Sequence, residues 1–175
     1  MFDGWENYYV IVGSAAGALI GVMFIVATLT AGRDPRQISR GSRVYVTPIV
    51  FHFSVVLVVS AVAEMPKVPS SVIGTVLALA AAAGFSYSAV TTIRMLEPDW
   101  VGGADMWDRQ FYGIIPMVAY LALAASSGVI WFVPAAALYA TAATMLGLLL
   151  LGINNAWDLA TALIQRPPAS TSNTD

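Results

Sequence analysis

The most regular feature of the sequence is a series of long uncharged stretches, separated by short segments that hold the Asp, Glu, Lys and Arg residues. Four stretches contain 26, 20, 26 and 48 residues, at positions 7–32, 44–63, 68–93 and 110–157. A helix that crosses the hydrocarbon core of a bilayer needs roughly 20 apolar residues. The first three stretches therefore predict one membrane span each.

The fourth stretch is too long for a single crossing. Its 48 residues would form a helix of about 72 Å at 1.5 Å per residue. Ser126, Ser127 and Gly128, or Pro134 shortly after them, favour a reversal of the chain. The sequence therefore predicts an all-α polytopic membrane bundle of five transmembrane helices.

The predicted helices belong to one transmembrane domain over residues 1–165. The predicted spans are about 8–31, 48–65, 70–94, 110–127 and 134–153. A short interfacial helix is expected over 156–165. The tail 166–175, rich in Pro, Ser and Thr, is expected to be disordered in the cytoplasm.

The basic residues predict the orientation of these spans. With the N-terminus outside, the cytoplasmic segments hold seven of the eight basic residues and the outer segments hold only Lys67. An excess of Lys and Arg on the cytoplasmic side is the usual pattern of membrane proteins. Four spans with an external tail would give six against two, so the rule favours five spans and a cytoplasmic C-terminus.

Composition agrees with a membrane location and excludes several classes of function. Of the 175 residues, 58% are hydrophobic and 10% are charged, whereas soluble domains contain about a quarter charged residues. We expect a multi-pass protein of a bacterial cytoplasmic (inner) membrane, with the lipid bilayer as its main surrounding. The net charge of -2 gives no basis for nucleic-acid binding.

Catalytic and cofactor motifs are missing from the sequence. There is no cysteine, only one histidine, no glycine-rich nucleotide loop and no GxSxG motif. We therefore expect no enzyme activity, no catalytic residue, no metal site and no cofactor. A redox subunit in which His52 ligates haem is a less favoured alternative.

The first span contains a glycine zipper, because Gly13, Gly17 and Gly21 recur every four residues. Such a groove lets another helix backbone approach closely. Its partner is either a second copy of the chain or a helix of the same chain, and the second interpretation is favoured because four partner helices are available. Gly17, in the middle, is expected to lie where the facing backbone comes closest.

Two other spans repeat this small-residue pattern more weakly. The third span carries Ala80, Gly84 and Ser88, and the fifth carries Ala143 and Gly147. We interpret these residues as helix-packing positions.

The polar residues inside the spans form a candidate intramembrane site. His52 is the only histidine, and Tyr45, seven residues earlier, is expected on the same helix face. Glu64 ends the second span. Intramembrane ionisable residues are functional candidates, although a hydrogen-bonded neutral imidazole is also an ordinary buried group, and we favour that interpretation.

These observations lead to two hypotheses about function. The first is a protein that acts by helix packing, as a homo-oligomer or as a subunit of a larger membrane complex. The second is a small channel or transporter with a polar path near His52, Tyr45 and the hydroxyl groups of the third span.

Overall fold

The structure, a computed structural model, describes residues 4–30, 46–96 and 106–165, and its regular elements there are all helical. The prediction of an all-α fold is therefore confirmed for these ranges. The predicted tail 166–175 and Tyr45 lie outside the described residues. The helices are α1 Glu6–Thr30, α2 Thr47–Ala63, α3 Ser70–Met95, α4 Met106–Val129 and α5 Pro134–Gln165.

Four of these helices, α1, α3, α4 and α5, are long and apolar enough to cross a membrane. The chain is therefore described as a multi-pass membrane protein. The remaining helix, α2, contains no charged residue but has only 17 residues. At 1.5 Å per residue it is about 26 Å long, slightly less than the ~30 Å hydrocarbon core.

The fifth helix is longer than the sequence predicts. α5 continues without a break to Gln165, 12 residues beyond the predicted end at residue 153 (165 − 153). The separate interfacial helix over 156–165 is therefore not formed. The reason is Asn155, which is fully buried and donates a 3.1 Å hydrogen bond from Nδ2 to the Phe111 carbonyl of α4, instead of ending the helix.

Consecutive helices run in opposite directions. In α3 and α4, Gly84 faces Tyr120 and Gly113 faces Thr92, so the residue number falls along α4 as it rises along α3, as an antiparallel pair requires. α1 and α2 show the same relation, with Gly13 against Ser60 and Gly17 against Leu57.

The first and last helices begin at the same end of the bundle. The Trp5 ring, next to α1, lies 4.9 Å from the Tyr139 ring of α5, and the Tyr8 hydroxyl donates to the Ala142 carbonyl. α1 and α5 are therefore parallel neighbours, as an alternating up-and-down arrangement of five helices requires.

The core lies between α2, α5 and the inner faces of the other helices. Phe53 of α2 is fully buried, and its ring occupies the place next to Gly152 of α5 where a side chain would otherwise lie. α1 lies at the edge, with 22% of its central residues buried against 56% for α5. The helices thus differ strongly in how much surface they leave for other molecules.

Candidate functional site

A buried hydrogen bond links His52 of α2 to Tyr120 of α4. His52 Nδ1 lies 2.8 Å from the Tyr120 hydroxyl oxygen, and both side chains have no exposed surface. The two residues are 68 positions apart in the chain. The hydrogen bond therefore holds together α2 and α4, which are not consecutive in the sequence.

A glycine in α3 makes room for this pair. The Tyr120 ring lies directly on Gly84, where an added Cβ would come within 2.1 Å of the ring. Any side chain at position 84 would push the ring away and lengthen the bond to His52. Gly84, predicted as a packing residue, thus packs against α4 of the same chain.

Hydrogen bonding at the pair is incomplete among the described residues. His52 Nε2 is buried and has no hydrogen-bond partner there. If Nδ1 accepts a hydrogen bond from the Tyr120 hydroxyl, the neutral imidazole carries its own hydrogen on Nε2. This N–H donor then has no partner among the described residues. If Nδ1 donates, the Nε2 lone pair is unpaired. A buried unpaired group costs roughly 1–3 kcal/mol.

No hydrogen bond among the described residues links His52 to the other polar candidates. Glu64 ends α2 and is half-buried, and its Oε1 atom has no partner among the described residues. Tyr45 lies outside the described residues, so its expected position beside His52 stays a prediction. Ring stacking joins Phe51, next to His52, with Tyr87 of α3, whose centroids are 4.7 Å apart.

The three threonine hydroxyl groups of α3 bond within their own helix. Thr75, Thr91 and Thr92 donate to the carbonyl oxygens of Ser71, Tyr87 and Ser88, four residues earlier. Ser88 is buried, and its Oγ atom has no partner in the described structure. These bonds favour a role of the threonines in the helix itself over a role in lining a polar path.

The three glycines of α1 differ in their surroundings. A Cβ on Gly13 would lie 2.8 Å from the Ser60 Cβ, whereas one on Gly17 would first meet the Leu57 Cδ1 at 3.9 Å. A Cβ on Gly21 would meet no atom of another helix within 4 Å among the described residues. The expectation that Gly17 marks the closest approach is therefore wrong, because α2 diverges from α1 beyond Gly13.

The weaker small-residue positions also differ. Ala80 of α3 is half-buried against the core, whereas Ala143 and Gly147 of α5 are exposed. These two line an apolar groove between α4 and α5 of about 310 Å³. The pattern of small residues therefore marks both internal contacts and outer surface.

A second buried polar contact was not predicted from the sequence. Asn155 of α5 donates to the Phe111 carbonyl, and the Tyr112 hydroxyl donates to the Asn155 carbonyl at 3.0 Å. Phe111 and Tyr112 belong to a π-helical turn, Gln110–Ile114, within α4. Such turns often occur at functional sites. The one signal in the sequence was Asn155 itself, an amide close to an apolar run.

Comparison of the chain with known protein families, with curated proteins and with solved structures gave no match.

Proposed function

We propose that the protein acts by helix packing, as a homo-oligomer in which α1 of one copy contacts α1 of another. One observation carries this proposal. The outward face of α1 has its smallest residues at its centre: Ser14, Ala18 and Gly21 are all exposed.

The outward face differs from that of an ordinary lipid-facing helix. Larger side chains flank the small residues, since Ile11 and Ile25 are 68% and 59% exposed. Lipid chains are as apolar as leucine, so lipid contact alone does not require small residues. Close approach of another helix does, because van der Waals contact increases as the two backbones come together.

A second copy of the chain fits this face for a reason of symmetry. All copies insert in the same orientation, so two α1 helices meet in parallel around a two-fold axis normal to the membrane. Small residues spaced four apart, as Ser14 and Ala18 are, suit such a parallel crossing. The inner side of α1 stays in place because Gly13 packs on Ser60 of the same chain.

Gly21→Leu tests the proposal most directly. Because a side chain at position 21 would meet no other helix of the described structure within 4 Å of its Cβ, the variant should fold with unchanged thermal stability. It should nevertheless run as a smaller species than the wild type in size-exclusion chromatography with light scattering, in a mild detergent. Ala18→Leu should act in the same way.

Two variants on other helices serve as controls. Ala82→Leu adds a leucine to an exposed position of α3, and Gly147→Leu fills the groove between α4 and α5. Both should leave the size of the oligomer unchanged. A monomeric wild type, or an oligomer that only Gly147→Leu disrupts, would contradict association through α1.

We also propose that all five helices cross the membrane, with the N-terminus outside and the C-terminus in the cytoplasm of a bacterial cell. α2 supports this, because it lies antiparallel to α1 through Gly13 and Ser60. Its 17 residues are at the lower end of the usual range for a span. Val46 before it and Glu64 after it also have helical backbone angles, which lengthens the helix.

Labelling of single cysteines tests this topology, since the chain has none of its own. Cysteines at Ser39 and Ser172 should be protected from an impermeant maleimide in intact cells, and a cysteine at Ser70 should react. All three should react after permeabilisation. Labelling of position 172 from outside would contradict five spans and support four.

The channel or transporter hypothesis has one observation in its favour: His52 is buried, and its Nε2 has no hydrogen-bond partner in the part of the chain that the structure describes. The geometry favours helix packing instead. His52 has no exposed surface and is bonded to Tyr120, and two clefts of the described structure are lined by other residues.

A further inference from the structure

A cleft opens between the beginning of α4 and the last third of α5. It has a volume of about 260 Å³. Its lining combines aromatic rings with carboxylates and an amide: Trp107, Asp108, Phe111, Tyr112, Asn154 and Asp158. None of these six residues is basic. The cleft is remote in sequence from the α1 face, and none of its lining residues belongs to α1.

The aromatic wall of the cleft is held in place from behind. The Trp107 and Phe111 rings are stacked at 5.7 Å with an angle of 26° between their planes. Asn155 lies behind the wall, bonded to the Phe111 carbonyl through its side chain and to the Tyr112 hydroxyl through its main chain. Asn155 is fully buried, and its Oδ1 accepts no hydrogen bond among the described residues.

The two carboxylates of the cleft come from different helices. Asp108 lies in the first turn of α4, where the positive end of the helix dipole stabilises an acidic side chain. No such reason exists for Asp158, which lies within α5, seven residues before its end (165 − 158). Asp158 Oδ2 accepts a 3.3 Å hydrogen bond from Asn154. A neutral amide does not compensate the charge.

The aromatic rings and carboxylates of the cleft indicate the kind of ligand that it binds. The carboxylates of Asp108 and Asp158 both line the cleft, and the Asp158 carboxylate in particular attracts a cation. The described residues contain no group of three or more metal-ligating side chains, which disfavours a divalent metal. Aromatic faces attract alkylammonium groups, and the attraction is stronger where water is excluded.

We propose that this cleft binds an alkylammonium group. Two sources share this chemistry, the ethanolamine headgroup of a phospholipid and a free amine in solution. A tryptophan-rich helix end is typical of the headgroup layer, and Trp107 is 67% exposed beside the cleft.

The experiment uses the full chain in nanodiscs. In discs of equal phosphatidylethanolamine and phosphatidylglycerol, native mass spectrometry should show the wild type retaining phosphatidylethanolamine at least tenfold over phosphatidylglycerol if the source is lipid. In discs of phosphatidylglycerol alone, calorimetry with ethanolamine and spermidine should show binding if the source is a free amine. Either result supports the proposal and identifies the source.

Variants connect the binding to the cleft. Asp158→Asn should weaken it at least tenfold without loss of thermal stability, because Asp158 is exposed. Asp108→Asn should weaken it as well. Glu6→Gln and Trp157→Leu are matched controls, as both residues are exposed and lie outside the cleft.

Three results would overturn the proposal. One is the absence of both lipid selectivity and amine binding in the wild type. Another is binding that survives Asp158→Asn and Asp108→Asn unchanged. The third is displacement of the amine by Mg²⁺ at equal concentration, which would assign the cleft to a metal ion instead.

Discussion

Gly84→Ala is expected to destabilise the protein by about 1–3 kcal/mol, the usual cost of overpacking a core. The new methyl group would lie 2.1 Å from the Tyr120 ring, so an atom must move. The ring has little freedom to do so, because Tyr120 is fully buried and its hydroxyl is bonded to His52. The change can be measured as the free energy of unfolding in an SDS titration.

Matched controls separate the clash from the effect of alanine itself. Gly147→Ala places the same methyl group in α5 where it would meet no other helix within 4 Å among the described residues. It should be neutral or slightly stabilising, since alanine favours helix formation by about 1 kcal/mol over glycine. Equal stabilities of the two variants would show that the Tyr120 ring does not lie on Gly84.

A double-mutant cycle identifies the partner. Tyr120→Ala is itself destabilising, because it removes a buried ring and leaves His52 Nδ1 without its partner. In that background Gly84→Ala should cost little, since the methyl group enters space that the ring has left. An undiminished cost would mean that another residue is the obstacle.

The sequence predicted most helix ends because charge and length determine where a chain leaves the membrane. The 26-residue uncharged stretch after Lys67 corresponds to α3, Ser70–Met95, which differs from the predicted span 70–94 by one residue. The predicted end of α5, at residue 153, was wrong because burial depends on contacts between helices as well as on local polarity. Asn155 resembles a surface residue in sequence, but its hydrogen bond to Phe111 buries it between helices.

The candidate site was predictable only in part. His52 stands out as the only histidine, in an apolar span. Its partner Tyr120 lies 68 residues away in the chain, and no local pattern connects the two. Gly84 was identified as a small packing residue, but the ring that occupies its space depends on how α3 and α4 are aligned. Such an alignment is a property of the folded bundle.

The three glycines of α1 show the same limit. Their spacing is regular, yet Gly13 contacts Ser60, Gly17 is near Leu57, and Gly21 has no close neighbour on another described helix. Helices that cross at an angle touch over a short length and then separate. Periodicity therefore predicts a face but not the position of the contact along it.

Gly13→Leu is expected to reduce stability more than either of the other two glycine substitutions. A Cβ at Gly13 would lie 2.8 Å from the Ser60 Cβ, and neither atom can move without its backbone. We expect a loss of about 2–3 kcal/mol in the free energy of unfolding, at the upper end of the overpacking range. Gly17→Leu should cost less, because the flexible end of Leu57 is its nearest neighbour at 3.9 Å.

A reciprocal exchange tests whether the contact itself is responsible. Gly13→Ala should be destabilising alone, and Ser60→Gly should restore part of the loss, because the single Cβ between the helices moves from α2 to α1. The hydroxyl lost with Ser60 should contribute little, since its Oγ has no partner among the described residues. Ala16→Gly, one turn from Gly13 and also buried, is the control and should not rescue. Equal losses for leucine at positions 13, 17 and 21 would contradict the crossing at Gly13 and place the whole glycine face against α2.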